Sequence, residues 1–148
     1  MEHVIRPGKI EDCSDLIVLL EELGYQQGDH HTLSILQAYL SSSSYHLLVA
    51  EVRHKIVGVI ALAVHDLFVM PGKRCRIEAL IVAHNFRKNG MGKGLLQAAE
   101  SWAAETGCTV IELTAGVHRA ASGAHNFFIH HGYSNDGPQA KLYLRKQL

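Results

Sequence analysis

Leu80-Ile81-Val82-Ala83-His84-Asn85-Phe86-Arg87-Lys88-Asn89-Gly90-Met91-Gly92-Lys93-Gly94-Leu95-Leu96 joins an apolar strand-like run to a basic, glycine-rich turn and then to the opening of a helix. Three properties coincide in it. Gly90, Gly92 and Gly94 permit positive φ and close backbone approach. A helix start presents N–H groups that have no acceptor within the helix. Arg87, Lys88 and Lys93 add local positive charge. A pyrophosphate fits such a turn. Taken alone, the glycines equally describe a tight strand-to-helix turn with solvated basic side chains beside it. No GK[ST] closes the run, so it is not a nucleoside triphosphate loop. It also lies late in the chain with no later acidic ribose partner in a βαβ unit, which argues against NAD.

Working outward, the spacing predicts a short strand at Val4-Ile5 closed by Pro7-Gly8. Ile10, Cys13, Ile17, Leu20 and Leu23 then share one helical face, ended by Gly24. Asp29, His30 and His31 read as a loop before a second helical piece, Leu33 to Leu40, which stops at Ser41 to Ser44. The period changes to two over Tyr45 to Val52 and Lys55 to Val64, with Arg53-His54 as a tight hairpin turn. A further strand, about Arg74 to Val82, follows Pro71-Gly72. After the glycine-rich turn come a helix burying Leu95, Leu96, Ala99, Trp102 and Ala103 up to Gly107, a strand at Thr109 to Thr114, a short helix at Ala124 to His131, and a final strand at Lys141 to Leu144. The predicted fold class is α/β (α+β), a mixed sheet with helices on both faces.

The chain has 148 residues and 16.3 kDa, is 47% hydrophobic and 19% charged, and contains no visible repeat, so one domain over residues 1–148 is expected. Fourteen basic and 14 acidic residues cancel, which leaves no global field to attract nucleic acid or an anionic membrane. Three cysteines without CxxC spacing and no secretory-type start point to reduced thiols in the cytoplasm. The longest apolar run, Ile56 to Val64, is about nine residues against the roughly 20 a membrane-crossing helix needs.

Arg87-x-x-Gly90-x-Gly92, with its strand before and helix after, resembles the acetyl-CoA signature of the GNAT superfamily of N-acetyltransferases. Ala124-x-x-Phe127-Phe128-x-x-x-Gly132-Tyr133 resembles that family's second motif, an aromatic pair followed by glycine and an aromatic. The likeness spans nearly the whole chain. It implies a GNAT-type, mostly antiparallel central sheet and acetyl-CoA as co-substrate. Backbone groups of Leu80, Ile81 and Val82 would hold the thioester and pantetheine, and Arg87, Lys88, Asn89, Gly90, Met91, Gly92 and Lys93 would wrap the pyrophosphate. Asn126 and Phe127 would lie along the pantetheine arm. Members often pair, which adds a homodimer to the expected assemblies.

Acetylating an amine requires a free-base nitrogen, hence a proton acceptor, and a donor can assist the departing thiolate. Strict alternation would place Arg76, Glu78, Leu80 and Val82 on one face. Glu78 among apolar neighbours would be partly buried and a better base, a role that also follows from the family's strand glutamate. The alternative is an ion pair with a neighbouring arginine. Where the family leads one to expect tyrosine, Phe128 has no proton to give, so Tyr133, His130 or water must substitute, or the thiolate leaves unassisted. Tyr133 is carried forward as the candidate, with packing as its other reading.

Asp29-His30-His31 and Tyr45-His46-Leu47 resemble, over a short span, the aminoalkylphosphonate N-acetyltransferase branch, which is associated with divalent metal. A third and fourth ligand at recognisable spacing are missing, and no metal site is assigned. His118, His125, His130 and His131 are read as surface or rim. Phe68, Val69 and Met70 with Tyr25 are read as core packing or acceptor-pocket walls. The expected activity is acetyl transfer to the primary amine of a small molecule, without nucleic acid or membrane as partner. Alternatives are an acyl-CoA-binding sensor or scaffold, supported by Phe128, and acetylation of a protein amine.

Overall fold

The computed structural model describes residues 2–25, 28–115 and 123–148. They fall into two compact units, Met1–Ile111 and Glu112–Leu148. The first contains strand β1 (Val4–Pro7), helices α1 (Cys13–Glu22) and α2 (Asp29–Ser41), strands β2 (Tyr45–Val52), β3 (Lys55–Asp66) and β4 (Lys73–Val82), helix α3 (Met91–Glu105) and the start of β5 (Cys108–Glu112). The strands form one sheet in the order β1-β2-β3-β4-β5, antiparallel from β1 to β4. Thr109 donates its hydroxyl to the Lys73 carbonyl at 3.4 Å, so β4 and β5 start at the same end and run parallel across the α3 crossover.

Two apolar layers sandwich the sheet. On one face Leu47, Val49, Val59 and Ile81 pack against Leu16 and Leu19 of α1 and Leu36 of α2. On the other, a Cβ at Gly58 would stand 3.1 Å from the Leu95 side chain and 3.3 Å from the Ile81 carbonyl oxygen, which shows how closely α3 presses on the strands. Leu95, Leu96 and Ala99 of α3 are buried there with Ile60 and Leu62 of β3. The β2–β3 turn is the predicted one: Arg53 and His54 have φ of 50° and 66°, both left-handed, which matches the twist of the strands it joins.

β4 contains the most consequential irregularity. Ala61 pairs with Ala79 but Leu62 pairs with Ile77, leaving Glu78 as an extra residue. The bulge overturns the strict alternation expected from sequence. Arg76 shares the α1/α2 face with Ala79 and Ile81, through the partners Ala63, Ala61 and Val59, whereas Leu80 and Val82 take the α3 face opposite Ile60 and Gly58.

Three other expectations are corrected. Asp29, His30 and His31 are the exposed first turn of α2, not a loop. Phe68 is fully solvated at 101%, with Val69 and Met70 at 85% and 58%, so these residues are not core. In the second unit, which holds α4 (Ala124–His130) and a 3-10 turn at Gly137–Gln139, Lys141 to Leu144 form no strand. The Asn135 amide takes the main chain of Lys141 at both ends, donating to its carbonyl at 2.9 Å and accepting from its N–H at 2.7 Å. Leu142 and Leu144 stand exposed.

The start of the first unit is pinned by charge. Arg6 on β1 donates twice to Asp12, at 2.9 and 2.8 Å, and once to Glu51 on β2 at 3.0 Å, while the Lys9 N–H donates to Asp12 at 2.9 Å. Burial pushes the Asp12 carboxyl up, but the Arg6 and Lys9 hydrogen bonds outweigh it and hold the group below the usual carboxylate range. A folded value below the unfolded one gives stability that is full above the unfolded value, near ~3.9, and is lost as pH falls from there through the lower folded value. Urea unfolding is therefore expected to show Asp12→Asn weaker by about 1–3 kcal/mol at neutral pH, with the difference shrinking below about pH 4. Parallel curves at all pH values would contradict this.

Candidate active site

The phase of β4 decides which of its main-chain groups face outward. The Ala83 N–H donates to the Val57 carbonyl on β3 at 2.8 Å. By alternation Ile81 also points to β3, and the N–H and C=O of Leu80 and Val82 point away from it, toward the β5 side. Ile81 is buried, while Leu80 and Val82 are half-buried.

Beyond Val82 the chain makes a 3-10 turn at His84–Phe86, whose first N–H donates to Glu22 of α1 at 3.0 Å. Arg87 then folds back, its Nε donating to the Val82 carbonyl at 3.0 Å, and the Asn89 amide donates to the Arg87 carbonyl at 3.2 Å. Lys88 and Gly90 have φ of 63° and 81°. These left-handed residues turn the chain sharply into α3, whose N-cap Gly90 supplies no side-chain cap. The first N–H to close an intrahelical bond is that of Gly94, to Gly90 at 2.9 Å. The N–H groups of Met91, Gly92 and Lys93 therefore project from the helix end. Met91, 1% exposed and packed in the cluster with Ile81 and Ala83, anchors that end against β4. Arg87, Lys88, Asn89, Gly90 and Lys93 are exposed, and Gly92 is half-buried. The seven predicted pyrophosphate residues thus form one continuous turn at the end of β4.

Glu78 is not buried. Its side chain is 41% exposed and its Oε1 lies 3.5 Å from Arg76 Nε. The bulge turns it with Arg76 to the α1/α2 face, away from Leu80 and Val82. Its carboxylate reaches the neighbourhood of Tyr39 on α2, whose phenol is pushed up to about 12, first by burial and then by the charge of Glu78 and by Tyr45. Tyr39 was not singled out from the sequence; its place three residues after the buried Leu36 is the signal that could have found it.

Asn126, Phe127 and Tyr133 belong to the second unit. Asn126 is exposed and Phe127 half-buried on α4. The Phe128 ring stands edge-on to Phe127 at 5.2 Å and to Tyr133 at 5.5 Å, so a phenol does accompany the position where Phe128 lacks one. His131 packs against Phe127 at 4.6 Å and His130 at 5.1 Å, and His118 lies outside the described residues. Among the described residues no group of three or more His, Cys, Asp or Glu side chains is arranged to hold a metal. No described helix is long and apolar enough to cross a membrane.

Residues 12–133 match the acetyltransferase (GNAT) family profile. The chain belongs to the GNAT acetyltransferase family. No curated protein matches it by sequence. Among solved structures it is similar to a GNAT family acetyltransferase of Staphylococcus aureus (24% identity, all of both chains, TM-score 0.81) and to glucosamine-6-phosphate N-acetyltransferase of Arabidopsis thaliana (22%, 98% of this chain and 100% of that one, TM-score 0.78). It is also similar to aminoglycoside N-acetyltransferase AAC(6')-Iy in complex with CoA (17%, 99% and 96%, TM-score 0.84). At these identities the likeness is one of fold. Family membership makes the chain an acyltransferase with acetyl-CoA as co-substrate.

Gly90 has φ of 81° and nothing within 4 Å of where a Cβ would sit, so a substitution there acts through backbone strain alone. Gly90→Val is expected to cost about 1–2 kcal/mol of stability and, by tilting the exposed N–H groups, to raise the acetyl-CoA KM with a smaller change in kcat. Steady-state kinetics check this; an unchanged KM would contradict it.

Proposed function

We propose that this GNAT acetyltransferase moves the acetyl group of acetyl-CoA to the primary amine of a small molecule, by direct attack within a ternary complex. The observation that carries the proposal is the run from the outward main-chain groups of Leu80 and Val82 to the projecting N–H groups of Met91, Gly92 and Lys93. A ligand with amides along a flexible arm and a pyrophosphate at its end matches that order of donors. Arg87, Lys88 and Lys93 add charge for the phosphates, where an anion also meets the positive end of the α3 dipole. The similar folds that act on glucosamine 6-phosphate and on aminoglycosides support a small amine as acceptor.

In the step itself the amine nitrogen, as free base, attacks the thioester carbonyl carbon. The N–C bond forms, the C–S bond breaks, and the electron pair leaves on sulfur. Glu78 accepts the nitrogen's proton, directly or through water; its exposure leaves room for a water relay, and Arg76 holds the carboxylate in place. The thiolate takes a proton from Tyr133 or from solvent, and a thiol's ordinary pKa near ~8.5 makes sulfur a competent leaving group without help. Phe128 keeps one second reading in view, a chain that binds acyl-CoA and reports it without turnover.

Coenzyme A release with acetyl-CoA, assayed against aminoalkylphosphonates, polyamines, amino acids and aminoglycosides with and without divalent metal, tests the proposal. Turnover on at least one amine is expected. Glu78→Gln should lower kcat/KM by about 10²–10⁴-fold. Tight acetyl-CoA binding without turnover on any small amine would replace this reading with the sensor or with a protein acceptor, and undiminished activity in Tyr133→Phe would assign that residue to packing.

A further inference from the structure

A second concavity lies at the far end of the first unit, on the edge of the sheet. β1 ends at Pro7, paired with Leu48, so the first residues of β2 run beyond it. Side chains from both faces of β2 converge at that edge. Tyr45, on the α1/α2 face opposite Ala63, stacks on Tyr39 of α2 with ring centroids 4.6 Å apart. His46, on the α3 face opposite Leu62, stacks on Trp102 of α3 at 4.4 Å and 9° between planes. The two stacked pairs, with Ser42 and Ser43, line a cavity of about 300 Å³.

None of the lining residues carries a fixed charge. Burial pushes the His46 imidazole below its usual range, so it is neutral at pH 7. Arg6, next to the lining residue Pro7, is occupied by Asp12 and Glu51. Its Nη1 also donates to the Pro7 carbonyl at 3.0 Å, so this cation reaches the wall as part of a cluster with two carboxylates, and Glu78, whose charge acts on Tyr39, is paired with Arg76 at 3.5 Å. Four rings, hydroxyl oxygens and a neighbouring cation outnumbered by its two carboxylates make a wall whose electrostatics favour a positive ligand over a neutral or negative one.

We propose that this cavity binds a small organic cation, an alkylammonium or quaternary ammonium group, held by the rings of Tyr39, Tyr45 and Trp102. It is separate from the acetyl-CoA turn: Trp102 sits at the opposite end of α3 from Met91, roughly 16 Å along the helix. The inference does not depend on acetyl transfer.

Trp102 is the only tryptophan in the chain, so its fluorescence reports on this cavity alone. The full-length protein is titrated at constant ionic strength with choline and with its neutral isostere 3,3-dimethylbutan-1-ol, and acetyl-CoA binding is measured in parallel by calorimetry. Choline should change the emission saturably and bind about tenfold more tightly than the isostere. Tyr45→Leu should abolish that preference while Tyr45→Phe, which keeps the ring face, retains it; retained acetyl-CoA binding shows that either variant is folded. Equal binding of choline and isostere, or no saturable response to choline up to about 100 mM, would overturn the proposal. The comparison of choline with its isostere is read on the unaltered protein and stands if the variants fail to fold.

Discussion

The bulge at Glu78 is the constraint on which the site depends. One extra residue between Ile77 and Ala79 reverses which face each later side chain of β4 takes. Without it, Arg76, Leu80 and Val82 would share a face. With it, Arg76 and Glu78 pair on the α1/α2 side near Tyr39, while Leu80 and Val82 lie beneath α3 and their main-chain groups face the β5 side. The same strand thus places a carboxylate toward one layer and a row of amide groups along its edge. In the proposed reaction that division lets one strand face both an acceptor and a thioester.

α3 continues the strand into a turn whose N–H groups project outward, the proposed phosphate site. Its N-terminus is fixed by Met91 in the cluster beside Ile81 and Ala83, and its body by Leu95, Leu96 and Ala99 against the sheet. Gly94 takes part as well: a Cβ there would come within 2.7 Å of the end of the Ile5 side chain, which would have to swing aside, so the glycine lets helix and β1 approach without that shift. Buried packing of Ile81 and Ala83 before the turn and of Met91 after it fixes both ends from which the N–H groups project.

Much of this was legible in the sequence. Glycine punctuation and the switch from period 2 to period 3.6 around Arg87 to Gly94 located the strand, turn and helix that the structure contains, and Arg53-His54 was recognisable as a hairpin turn. What alternation could not reveal was the bulge, because a bulge is set by how β3 and β4 register against each other and leaves no mark on the spacing of β4 itself. Burial of Glu78 was inferred from its neighbours and failed for that reason. Asp29-His30-His31 looked like a loop because polar residues open an amphipathic helix as readily as they fill a turn. Lys141 to Leu144 has strand-like alternation, but a side-chain clasp from Asn135 takes both main-chain groups of Lys141 at its start, and composition does not announce such a contact.

The central claim, that the β4 edge and the α3 N-terminal turn together hold the acyl donor, is tested most directly by ¹H–¹⁵N NMR of the whole chain titrated with coenzyme A. The account predicts that the amides of Leu80, Val82, Met91, Gly92 and Lys93 shift most and saturate together. Saturable binding that leaves those amides unmoved while others shift would contradict it.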